Sequence, residues 1–214
     1  MLGAPTLRLL RVAAALTRAS QGAFDCTVGG ELVRQGALPD HGGTPALPRG
    51  EADDIEFGAG WARLRRPVRI TLDGIAKGYA IDLAVRAMRS AGASAGWVNA
   101  GGDLRAFGDL ALPVSRRELD GRITPLGALR NAALASSRAA TPGAQPDDDA
   151  RFPARIVAAP GRAPSTGVWT VLARSAWRAD ALTKVAATAP AAQRAAQVQR
   201  LGGCLLPAAG GVPA

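Results

Sequence analysis

The chain has 214 residues, 48% of them hydrophobic, enough for one domain with a sizeable core. Its net charge of +9 raises phosphate-bearing ligands, nucleic acid and anionic membranes as partners, but 4% aromatics leave few platforms for stacking bases. No apolar run approaches the ~20 residues of a membrane span, and Cys26 and Cys204, far apart and without Cys/His spacing, argue against a zinc site.

At the N-terminus Arg8 and Arg11 interrupt the apolar stretch that a signal peptide needs. Leu9, Val12, Ala13 and Leu16 instead fall on one helical face, which predicts a helix over about 6–19. The segment GAFDCTVGG (22–30) reads as a turn, ELVRQGALP (31–39) as a short helix, and 40–54 as a Gly, Pro and acid-rich loop. IEFG and WARLRRPVRITL form a predicted hairpin, whose arginines are expected to be a solvated strand face rather than a nucleic-acid stripe. A helix over 75–91 follows, with a predicted core stripe of Ile75, Tyr79, Leu83, Ala84, Ala87 and Met88 and Gly92 as its stop. GWVNAGGDLRAFG (96–108) reads as strand, glycine turn, strand. Further strands are expected near 111–114 and 131–135, a polar loop over 141–153, and strands at ARIVAA and VWTVLAR. Helices near 179–189 and 191–201 and a short strand CLLPA close the chain. Hairpins grouped between helices predict an α+β fold with mixed or antiparallel sheets covered by helices.

Only two lysines, Lys77 and Lys184, stand among 24 arginines. An ammonium is a compact point charge and a guanidinium a wide planar fork, so a tight site can accept only the former. Lys77 lies in TLDGIAKG (71–78), where a strand runs through Asp73 and Gly74 into a helix. Two readings stand: a helix N-terminus seating an anion beside Lys77, or Asp73 as an N-cap with Lys77 merely exposed. Lys184 lies in ADALTKVA (179–186), where Asp180, Thr183 and Lys184 share a helical face. Carboxylate and hydroxyl oxygens there could hold a hard cation such as Mg²⁺, or Asp180 could be a cap with an i,i+4 ion pair. NAGGD (99–103) offers Asn99, Gly101, Gly102 and Asp103, its glycines a hairpin turn or an anion-facing loop, and Asp25 and Thr27 fit an Asx-turn.

Taken together and in order, GAFDCTVGG, DGIAKGYAID (73–82), VNAGGDLRAFG (98–108) and ADALTKVA resemble the FAD:protein FMN transferase, or ApbE, family over roughly residues 7–206. The resemblance implies a single domain over 1–214 without the family's N-terminal portion. It implies Mg²⁺-dependent transfer of FMN from FAD to a Thr or Ser hydroxyl of an acceptor flavoprotein, with AMP leaving, and involves no nucleic acid. Carried over, the metal falls to the Gly74 main chain, Asp180 and Thr183, the flavin to Ala23, Phe24, Asp25 and Lys77, and catalysis to Asp180 and Lys77. The sequence also departs from the pattern. The family's threonine stands four residues after the aspartate, where this chain has Lys184, with Thr183 one residue early; Thr71 replaces a carboxylate. Its H-x-x-D-P-x-T-G segment corresponds to ARIVAAPGRAP (154–164), without the histidine and aspartate. The alternative expectation is therefore a non-catalytic flavin or nucleotide binder on the same fold. Localisation stays open: the sequence shows no span, while the family includes exported members.

Overall fold

The computed structural model describes residues 2–139 and 155–207. Five helices (α1 Ala4–Ala19, α2 Gly29–Arg34, α3 Ala76–Ser90, α4 Ala176–Thr188, α5 Ala191–Arg200) alternate with nine strands in hairpin groups. A five-stranded antiparallel sheet in the order β3-β4-β7-β8-β9 forms the centre, from Gly96–Ala100, Asp103–Phe107, Ala133–Ala139, Gly167–Ala173 and Gly203–Leu205. Two hairpins flank it, β1 (Ile55–Gly58) with β2 (Trp61–Leu64) and β5 (Leu112–Arg117) with β6 (Ile123–Leu129). The architecture is α+β, as the grouping of hairpins and helices predicts.

Strand β7 shows how the layers are sorted. Successive side chains on a strand point to opposite faces. Ala133 and Ala135 face α3 and α4, packing with Ile81, Ala173, Ala176 and Ala179. Leu134 faces the other way, into a cluster with Leu104, Ala106, Val114 and Leu129 beneath the β5–β6 hairpin. The alanines on the helix side let α4 lie close to the sheet. The largest cluster joins α1 to α4 through Leu9, Leu10, Ala13, Leu182, Val185 and Ala186, with Phe24 and Ile75 buried among them.

Four expectations need correcting. The core face of α3 is Gly78, Ile81, Asp82 and Val85, whereas Ala87 is exposed and Tyr79, Leu83, Ala84 and Met88 are only partly buried. β2 ends at Leu64 rather than running on to 72; Pro67 lacks an N–H for a ladder, and Val68 and Arg69 make only isolated bridges to Leu47 and Val28. β6 was not expected, because Pro125 and Gly127 (φ 97°) punctuate it; a two-stranded hairpin tolerates both. Residues 155–159 form no strand. The polar loop expected over 141–153 lies outside the described residues.

The basic segment 61–69 is locally balanced. Arg63 and Arg65 face Glu56, Arg66 pairs with Asp54 at 2.5 Å, and Arg69 pairs with Asp40. Among the described residues no helix is long and apolar enough to cross a membrane.

Candidate active site

The first turn of α3 and the first two turns of α4 are built against each other. Gly78 makes this possible: a Cβ there would lie 2.3 Å from the carbonyl oxygen of Ala176, so only glycine permits the approach. At this crossing each helix caps the other. Asp82 of α3 accepts hydrogen bonds from the Ala176 N–H (2.9 Å) and the Trp177 N–H (3.0 Å) at the start of α4. Asp180 of α4 accepts the Gly78 N–H through Oδ2 at 3.1 Å. Neither helix carries a side-chain cap of its own, so the exchange satisfies donors that both would otherwise leave orphaned. Arg105 from β4 ion-pairs with Asp82 and holds it in place.

Three N–H groups at the start of α3 are already engaged within the fold. The Ile75 and Ala76 N–H groups both donate to the Leu72 carbonyl, and Gly78 donates to Asp180. Asp73 is exposed and caps nothing; Ile75 holds the N-cap position. Positive charge at this turn comes from side chains.

Both lysines converge here. Lys184 Nζ lies 2.5 Å from Asp180 Oδ1 and donates as well to the Asp180 carbonyl at 3.2 Å. Its aliphatic chain passes the Asp73–Gly74 turn: a Cβ on Gly74 would stand 3.4 Å from Lys184 Cε and 3.2 Å from the Phe24 ring. Lys77 Nζ sits 3.1 Å from Asp103 Oδ2, at ion-pair distance but without the angle of a directed hydrogen bond. Lys77 remains 43% exposed while Asp103 is almost wholly buried. Burial, and then the negative charge of Asp180, push the Asp103 carboxyl above the usual carboxylate range, with Lys77 opposing them. Two ammoniums and two carboxylates thus form one cluster between α3, α4 and β4.

Thr183 is fully buried. Its hydroxyl donates to the Asp180 carbonyl at 2.7 Å and lies 2.6 Å from Ser137 Oγ on β7. The GAFD turn joins the site from the other side: the Thr188 hydroxyl bonds the Ala23 carbonyl at 2.6 Å, and Phe24 packs beneath Gly74. Asp25 makes an Asx-turn, accepting the Thr27 N–H and hydroxyl at 2.8 and 2.6 Å, with Arg49 3.5 Å from its second oxygen. Gly101 and Gly102, at φ 60° and 94°, make the tight turn of the β3–β4 hairpin, where Asn99 Oδ1 accepts the Gly102 N–H.

The structure therefore brings Phe24, Gly74, Lys77, Asp180, Thr183 and Lys184 to one place, with Ala23 tied to it through Thr188 and Asp25 behind in its own turn. Sequence reasoning missed Asp82 and Ser137, and singled out Asp103 without its partner Lys77. Asp82 had a signal: it lies inside DGIAKGYAID, which already carried Lys77. Ser137 had none.

The fold and this cluster define an α+β domain whose charged centre is assembled from three separated segments. The chain belongs to the ApbE family, whose profile matches residues 2–205 and whose members are flavin transferases. Three solved structures are similar. The ApbE protein of Thermotoga maritima is 24% identical, with TM-score 0.73, over 96% of this chain and 73% of its own. The flavin transferase ApbE of Vibrio cholerae is 19% identical, with TM-score 0.71, over 97% and 76%. The flavinyl transferase ApbE of Pseudomonas stutzeri is 17% identical, with TM-score 0.70, over 94% and 71%. At these identities the likeness establishes the fold. No curated protein gives a significant sequence match.

Proposed function

We propose that this chain transfers FMN from FAD to a threonine or serine hydroxyl of an acceptor flavoprotein. The observation that carries the reading is the convergence of Phe24, Gly74, Lys77 and Asp180, which three family segments contribute, on one charged cluster. In the transfer the acceptor oxygen bonds to the phosphorus of the FMN half. The pyrophosphate bond to the AMP half breaks, AMP leaves with the bridging oxygen, and the hydroxyl proton passes to solvent or to AMP. Charge develops on the phosphoryl oxygens, and preorganised cations stabilise it. Lys77, half-exposed and held by Asp103, supplies one such charge at the mouth of the site. Ala23, Phe24 and Asp25 form the wall against which the flavin half lies in this reading.

Mg²⁺, the cofactor the family resemblance implies, would take the Gly74 carbonyl, Asp180 and Thr183, and would neutralise phosphate charge when bound. The side chains as they stand do not fit that ion. Asp180 Oδ1 is bonded to an ammonium and Oδ2 to a backbone N–H. Thr183 is buried and donates its proton to a helix carbonyl, whereas Mg²⁺ keeps several waters about it.

The test incubates the protein with FAD and an acceptor domain, followed by denaturing electrophoresis and assay of released AMP. Transfer gives covalent flavin fluorescence on the acceptor in step with AMP. The second reading, a flavin binder without turnover, is favoured by the segment 154–164, which lacks the family's histidine and aspartate. It gives FAD binding with neither product.

A further inference from the structure

We propose that Lys184 is a built-in cation standing where a divalent ion would otherwise sit, so that this protein handles its ligand without a metal. Three observations point to it. First, the ammonium occupies the carboxylate: Nζ is 2.5 Å from Asp180 Oδ1, where an Mg²⁺ ion would need to approach the same oxygen to about 2 Å. Second, the lysine is not a loose surface group free to swing aside. Its side chain is 22% exposed, its Cδ and Cε lie under the Gly74 turn, and its ammonium makes two bonds to Asp180. It therefore fills the gap between Gly74 and Asp180 from both sides.

Third, the charge count is already closed. Asp103 and Asp180 are balanced by Lys77 and Lys184. A dication approaching Asp180 would find no net negative charge in this cluster to draw it, and it would stand beside the Lys184 ammonium. With a neutral hydroxyl at position 184 the same cluster would carry one uncompensated negative charge and would recruit a cation.

What the ammonium faces rests on the flavin-transferase reading; the exclusion of the metal does not. The test is accordingly one of binding, and it stands whether or not flavin is transferred. Thermal midpoints of the full chain and of Lys184→Thr are measured in EDTA and in excess Mg²⁺, and Mn²⁺ binding is followed by electron paramagnetic resonance. The wild-type protein is expected to hold no stoichiometric Mn²⁺, and its midpoint to be indifferent to Mg²⁺. Lys184→Thr is expected to melt lower in EDTA, to recover with Mg²⁺, and to bind one Mn²⁺. The Mg²⁺ rescue separates a cation's place from a merely structural ion pair, which would be lost without recovery. FAD affinity of the wild type should agree within about twofold with and without Mg²⁺.

A stoichiometric Mn²⁺ site in the wild type that Asp180→Asn abolishes overturns the proposal. So does an FAD affinity that Mg²⁺ tightens by about tenfold or more, or a folded Lys184→Thr protein that ignores both ions. Should Lys184→Thr not fold, the wild-type measurements decide alone.

Discussion

At the scale of single residues, Cys26 and Cys204 show how environment divides one side-chain type. Cys26 is buried under α1, takes a hydrogen bond from the Thr17 hydroxyl, and has its thiol pushed up to about 11 chiefly by that burial. Cys204 is exposed and free. Since the thiolate is the reactive form, iodoacetamide at neutral pH should label the native protein once, at Cys204, and twice only after denaturation. Peptide mass spectrometry reads this directly, and native labelling of Cys26 would contradict the packing around α1. Asp54 is a second case. Its hydrogen-bonded pairing with Arg66 holds the carboxyl below its ordinary value against the opposing effect of burial. A depressed folded value stabilises fully above the unfolded pKa of about 3.9 and is lost as pH falls from there through the folded value. Asp54→Asn should therefore lower stability near neutrality, and the gap to the wild type should close on acidification below about pH 4. Chemical denaturation at stepped pH checks the sign; a gap that widens in acid would contradict it.

Among the elements, α3 and α4 form a unit because Asp82 and Asp180 exchange caps while Gly78 allows contact. Asp82→Ala removes the acceptor for two α4 N–H groups and leaves Arg105 without its partner, at an expected cost of about 2–4 kcal/mol. Asp82→Asn keeps an acceptor oxygen and loses the charge, so it should cost roughly half as much. Urea denaturation with unchanged m-values reads both. Equal losses for the two variants would mean that the charge, not the cap, is what matters. This unit is also where the sequence was hardest to read. Hydrophobic periodicity picks the bulky face of α3, Tyr79 through Met88, but the buried face is built from a glycine, a carboxylate, Ile81 and Val85. A close helix crossing uses small residues and caps, neither of which scores as hydrophobic. By contrast α1, β3–β4 and α5 were legible, since ordinary amphipathic or alternating patterns bounded by glycine specify them. β6 hid behind Pro125 and Gly127, whose meaning as strand residues depends on a partner the local sequence does not reveal.

Across the whole molecule, the site depends on segments far apart in the chain meeting at α4, and this long-range meeting is what local patterns do not carry. The segments themselves could be picked out by their lysines, glycines and aspartates. Which side chain answers which could not, as with Asp103 for Lys77 or Ser137 for Thr183. One long-range tie runs from the end of α4 to the turn after α1. The Thr188 hydroxyl shares its proton between the Ala23 carbonyl at 2.6 Å and the Lys184 carbonyl at 2.9 Å. It thereby fixes the turn bearing Ala23, Phe24 and Asp25 against the helix bearing Asp180 and Lys184. Thr188→Val keeps the shape and removes the donor. The Ala23 carbonyl then loses its partner at a cost of about 1–2 kcal/mol, too little to unfold a domain of this size. If the proposed flavin wall is held by this tie, FAD affinity should fall by about fivefold or more, because part of the binding energy must then re-order the turn. Fluorescence titration of FAD, set beside the thermal midpoint of the same variant, separates the two effects. A midpoint lowered as expected with unchanged FAD affinity would remove Ala23, Phe24 and Asp25 from the ligand's surroundings and leave the lysine cluster as the binding centre.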